Sequence, residues 1–188
     1  MNRSEPNMEP APLKLEVGVA KLPQNGMPVR FEASEDERRE LAALLGILSV
    51  DALTADLLVR RWKRDGVEVD GRLKAKVTQA CVVTTDPVPE VIDERIEVIF
   101  VPDGSKLSRI APQDDGELHL DPEGADIPET FTGDRIDLGA YLTEVVGLAL
   151  DPYPRSEGVE FREIDTDPDP QGGKVSPFAA LSQLKTRD

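Results

Sequence analysis

Among 188 residues there is one cysteine, Cys81, and one histidine, His119. These two bound the chemistry that side chains can do here. A cysteine nucleophile needs a base within hydrogen-bond reach, and zinc needs three or four soft ligands. Cys81 lies in "QACVVTTDPVPE" (79–90), beside Thr84, Thr85 and Asp86 and no cation that would hold a thiolate. It falls on the apolar side of an alternating run, which makes it an inward-facing strand residue behaving as a small hydrophobe. His119 stands in an acidic stretch without a second histidine. The 37 carboxylates are so many that no pair stands out by spacing. Neither "GDRIDLG" nor "QNGMP" has the spacing of a phosphate-binding glycine loop. No catalytic residue, metal site, cofactor or small-molecule substrate is expected, and the chain is read as not an enzyme.

The concentration of charge between residues 60 and 76 offers different chemistry. Arg60, Arg61, Lys63, Arg64, Arg72, Lys74 and Lys76 are seven of the 22 basic residues, set against three of the 37 acids, Asp65, Glu68 and Asp70. The segment therefore carries +4 while the remainder carries −19. On two strands joined at "DGVEVDG" these side chains would form one basic ribbon containing Trp62. Such a ribbon can track a phosphate backbone while the indole stacks a base. The competing reading pairs Arg72, Lys74 and Lys76 across strands with Glu94 and Glu97, and places Trp62 in the core.

The surrounding elements must position those residues. Leu13, Leu15, Val17 and Val19 alternate as a strand, and Val29 and Phe31 mark a second. Ser34 and Glu37 form a capping box before Leu41, Leu44 and Leu45, with Gly46 as C-cap, predicting a helix over 35–45. Residues 49–101 read as three antiparallel strands. Leu53, Ala55, Leu57 and Val59 share one face of the first, and Leu73, Ala75, Val77 and Cys81 one face of the second. Ile96, Val98 and Phe100 share a face of the third, opposite Arg95 and Glu97. Residues 103–135 read as an acidic mobile loop, with a short strand at Glu117–Leu120. Asp137 caps a helix to about Leu150 through Leu138, Leu142, Val145 and Ala149. The expected fold is α+β: a mostly antiparallel sheet of five or six strands, able to curl towards a barrel, with two principal helices and disordered termini. Residues 1–12 form a disordered lead-in, 13–156 one domain, and 157–188 an acidic linker with a short helical motif at Phe178, Leu181 and Leu184.

A net charge of −15 disfavours nucleic acid and anionic membranes in general and favours basic partners. A single cysteine excludes an intrachain disulfide, and neither a signal peptide nor a membrane span is visible, so a cytoplasmic location is expected.

The order of these elements resembles the YceD family, the large ribosomal RNA subunit accumulation proteins, in an alphaproteobacterial-type member. The positions carrying the likeness are Val69, Gly71, Leu73, Cys81, Pro87, Ile136, Asp137, Leu138, Glu144, Leu148, Leu150 and Pro154, followed by the "PFAAL" of 177–181. The resemblance covers about residues 13–184. Many members carry C-x-x-C at the turn and another cysteine further on; here those later positions are Thr84 and Ser156. The resemblance implies a role in large-subunit ribosome assembly without a known reaction. Two partners fit it. Large-subunit ribosomal RNA would use the ribbon at Arg60, Arg61, Trp62, Lys63, Arg64, Arg72, Lys74 and Lys76. A basic ribosomal protein would use the acidic surface of 103–135 and 157–170.

Overall fold

The computed structural model describes residues 11–105 and 127–159. The chain divides into two units, Met1–Glu157 and Gly158–Asp188, and every described helix and strand lies in the first. The elements in order are β1 (Glu16–Gly18), β2 (Met27–Glu32), α1 (Glu35–Leu45), β3 (Ser49–Trp62), β4 (Gly66–Ala80), β5 (Pro87–Pro102), β6 (Glu129–Phe131), β7 (Arg135–Asp137) and α2 (Leu138–Ala149). This is an α+β fold. A five-stranded sheet runs β2-β3-β4-β5-β6, antiparallel except for the parallel β5–β6 pair. β1 and β7 make a separate two-stranded sheet. The large sheet stays open, with β2 and β6 as its edges, and does not close into a barrel.

One face of the sheet is covered and the other is bare. Alternation along β3 and β4 sends Leu53, Ala55, Leu57, Val59, Val67, Val69, Leu73, Ala75 and Val77 inward, each under a tenth exposed. Val50 and Leu53 both face the core although they stand three positions apart, because a bulge between Val50 and Ala52 resets the pleat. α1 packs over β3, and α2 over β5 and β1. Together they close a core that includes Leu41, Ile92, Ile96, Leu138, Leu142 and Val146.

α1 begins where the sequence places it. The Ser34 hydroxyl accepts from the Glu37 amide, and a Glu37 carboxylate oxygen accepts from the Ser34 amide at 2.8 Å. The other oxygen of Glu37 accepts from the Lys14 amide at 2.9 Å, so one side chain caps the helix and anchors the lead-in to β1. Burial pushes this carboxyl up, but the bonds from the Ser34 side chain and the Lys14 and Ser34 amides outweigh it and hold it below the ordinary value. Gly46 ends the helix at φ 66°. Asp137 is both the last residue of β7 and the N-cap of α2, accepting from the Ala140 amide at 2.9 Å.

Several expectations are corrected. The strand expected over 13–19 is paired only at Glu16–Gly18; Leu13 is fully buried but lies ahead of the strand, against α2. The β3–β4 turn is Lys63–Asp65, and "VEVDG" lies inside β4. Lys63 adopts φ 51° there, a conformation that no glycine advertises in the sequence. Cys81 falls one residue beyond β4, in the β4–β5 connection. The stretch expected as loop over 103–135 contains β6 and the start of β7. The strand expected at Glu117–Leu120, His119, most of the lead-in 1–12, and the linker and helical motif beyond 159 lie outside the described residues. Among the described residues no helix is long and apolar enough to cross a membrane.

Candidate interaction surfaces

The bare face of the sheet carries most of the expected ribbon, but interleaved with acid. Register aligns Arg30, Asp56, Arg72 and Arg95 in one row across β2–β5, and Thr54, Lys74 and Asp93 in the next. Arg72 binds Asp93 at 2.9 Å, with Lys74 at 4.0 Å from the same carboxylate. Arg60 pairs with Glu68 at 3.1 Å and also with Asp70. Arg30–Asp56 and Arg95–Glu97 complete the lattice at 3.1 and 3.0 Å. The face thus presents six cations, Arg30, Arg60, Arg72, Lys74, Lys76 and Arg95, against seven anions, Glu32, Asp51, Asp56, Glu68, Asp70, Asp93 and Glu97. Exposed pairs of this kind add little stability. Their consequence is that the face has no net positive charge.

The eight RNA-facing candidates are accordingly not brought into one site. Arg61 points to the opposite face from Arg60 and donates to the carbonyls of Leu22 and Ala20, which ties down the segment before β2. Trp62, Lys63 and Arg64 sit at the β3–β4 turn. The Lys63 ammonium lies 3.9 Å from the Trp62 ring centroid, and a Cβ on Gly66 would meet the same indole at 2.7 Å. Lys76 and Val91 are register partners near the other end of β4, roughly 30 Å from that turn at the usual strand rise. The acids paired with Arg72 and Lys74 are neither Glu94 nor Glu97. Asp93 does the pairing, and Glu94 sits opposite Leu73 on the other side of the pleat.

The β4–β5 connection gathers a second group. Cys81 is 1% exposed, its amide donates to the Asp86 carbonyl at 2.8 Å, and Val82 N–H donates to the Pro154 carbonyl at 2.9 Å. The Ser156 amide donates to Cys81 Sγ at 3.5 Å across 75 residues of chain. Positions 81, 84 and 156, where the family resemblance puts cysteines, therefore meet around one sulfur. The Thr84 hydroxyl, then the amides of Ser156, Thr84 and Val83, outweigh burial and bring the thiol from 9.0 down to about 6. Sequence reading missed this because the donor from 156 is remote, two others are backbone amides, and the Thr84 hydroxyl reaches the sulfur only through the fold of the turn. Among the described residues no cluster of three or more His, Cys, Asp or Glu could hold a metal ion.

The thiolate has a measurable signature. A native value near 6 against 9.0 when unfolded means the folded chain gives up this proton first. The contribution to stability is absent below pH 6, grows between 6 and 9, and is complete above 9. Denaturant unfolding of the wild type and Cys81→Ser from pH 5 to 9 should show a gap that widens as pH rises. A gap independent of pH would rule out a native thiolate.

The other motif positions divide by task. Gly71 admits the backbone of β3, Asp137 caps α2, and buried Pro154 holds the β4–β5 turn through its carbonyl. Glu144 differs: it is exposed and has no hydrogen bond or ion pair among the described residues.

No curated protein and no solved structure matches the chain. A family profile, that of the large ribosomal RNA subunit accumulation protein YceD, matches residues 69–185, from near the start of β4 onward. It takes in Gly71, Cys81, Asp137, Glu144 and Pro154, and leaves out Arg60–Arg64. With more than half its length matched and the motif residues in the structural roles just described, the chain belongs to the YceD family of large ribosomal RNA subunit accumulation proteins.

Proposed function

We propose that the chain is a non-enzymatic, cytoplasmic assembly factor that supports accumulation of large-subunit (23S-type) ribosomal RNA by holding a basic ribosomal protein. The observation carrying this reading is the lattice of six cations and seven anions on the bare sheet face. Phosphate binding depends on uncompensated cations, whose engagement releases counterions. Here each of Arg60, Arg72 and Lys74 already faces a carboxylate, inside a chain of net charge −15. That field repels RNA and attracts a cationic protein. The non-enzymatic part rests on the residue inventory, with one histidine and no nucleophile–base pair in the sequence.

A nuclease-controlled pull-down with the tagged full chain tests the reading. A basic large-subunit protein should stay bound after RNA digestion, and Arg72→Glu, Lys74→Glu and Lys76→Glu combined should leave its recovery unchanged. Recovery only with intact RNA would overturn the proposal. So would direct RNA binding by the purified wild type that the triple charge reversal abolishes.

A further inference from the structure

The two helices end against each other, and their joint end is both apolar and electronegative. The last residue of α1, Leu45, lies 3.2 Å from where a Cβ on Gly147 of α2 would stand. Neither helix has a basic residue in its last turn, so the partial negative charge of both C-termini is left without a side-chain cation. Around this point large apolar side chains face solvent: Leu44 is 62% exposed, Leu48 56% and Leu148 80%. None of the three belongs to the core or packs against it among the described residues. One turn back from Leu44 and Leu148 on the same helix faces stand Glu40 and Glu144, both exposed, and Asp151 follows the C-cap of α2, Leu150. The nearby cations of α1 are already engaged: Arg39 by Asp36, and Arg38 by the Ala33 carbonyl at 2.7 Å. A cleft of about 390 Å³ opens beside Leu48 between α1 and the start of β3, floored by Ala42, Ile47 and Val50 and rimmed by Glu35 and the engaged Arg38 and Arg39.

We infer that this end of the domain docks a cationic amphipathic segment of a partner protein. Its apolar side chains would cover Leu44, Leu48 and Leu148 and enter the cleft, while its lysines or arginines face Glu40, Glu144, Asp151 and the helix C-termini. The inference rests on the protein-partner reading above and names its contact surface. Charge selects the occupant. An anionic lipid surface or RNA would meet like charge here, and a second copy would bring its own Glu40 and Glu144 against the first pair. Exposed, unbonded Glu144 acquires a task that the fold does not otherwise give it.

The test uses the full chain and the basic proteins extracted from salt-washed large subunits, freed of RNA and identified by mass. Leu44→Glu with Leu148→Glu should cut retention of the bound protein at least tenfold, with an unchanged circular dichroism spectrum because both positions are exposed. Glu40→Lys with Glu144→Lys should weaken retention and flatten its dependence on salt. Two outcomes overturn the inference alone: undiminished retention by the leucine double variant, or wild-type self-association in sedimentation that this variant abolishes. Failure of the wild type to retain any basic protein would overturn the protein-partner reading itself, and this surface with it.

Discussion

Gly139→Ala is expected to destabilise the domain by about 3 kcal/mol, the upper part of the range for overpacking. Propensity alone predicts the opposite, since alanine is favoured over glycine by about 1 kcal/mol inside a helix. The packing decides the sign. A Cβ at position 139 would lie 1.9 Å from the Leu13 carbonyl oxygen and 2.9 Å from the Leu15 nitrogen. Both are backbone atoms and neither can rotate away. The Gly139 amide also donates to the Leu15 carbonyl at 3.0 Å, so moving the helix outward sacrifices the bond that docks the lead-in to β1. Gly147→Ala in the same helix supplies the control. Its Cβ meets only a methyl group of Leu45 at 3.2 Å, and a side chain can yield, so the change should be neutral or mildly stabilising. Urea unfolding of both variants measures the contrast. Equal effects at the two positions would mean that residues 13–15 do not lie against α2.

That contrast also marks what could be read in advance. The capping box at Ser34 and Glu37 and the stop at Gly46 were legible because each is completed within a dozen residues. The alternation in β4 and β5 was legible because one face is buried along nearly the whole strand. Asp93 was half legible. Its parity with Arg95 and Glu97 puts it on the bare face and removes Glu94 from contention, but only the register brings it opposite Lys74. The turn at Lys63–Asp65 was hidden because no glycine or asparagine marks it, while Gly66 and Gly71 drew the eye into the strand. Remote contacts left no local trace. Ser156 donating to Cys81 and Leu13 lying against Gly139 depend on how α2 and its flanks settle, which short-range patterns do not encode. The acids that pair with the candidate ribbon were hidden for the same reason: composition counted its cations, and register supplied their partners.

Gly71→Ala carries the second large expected effect, again about 3 kcal/mol of destabilisation, and it bears on the family motif directly. Gly71 stands at the middle of β4, opposite Leu57 of β3. A Cβ there would lie 2.2 Å from the Asp56 carbonyl oxygen, 2.8 Å from Leu57 Cα and 2.9 Å from a Leu57 methyl group. The methyl group can turn aside; the carbonyl belongs to the chain that holds Arg72 in register and cannot. Alanine must therefore push β3 from β4 halfway along the central hairpin, and the strain falls on both faces at once. On the covered face it loosens Leu57 and Leu73 from the core. On the bare face it shifts Asp56 relative to Arg72, in the row that also aligns Arg30 and Arg95. Amide hydrogen exchange should locate the damage, with protection falling first in residues 55–58 and 70–73 and holding in α2. Uniform loss of protection would indicate global unfolding without a local origin, and unchanged protection would refute the close approach. The glycine at this motif position then has a physical reason: it is where two long strands come too near for any side chain.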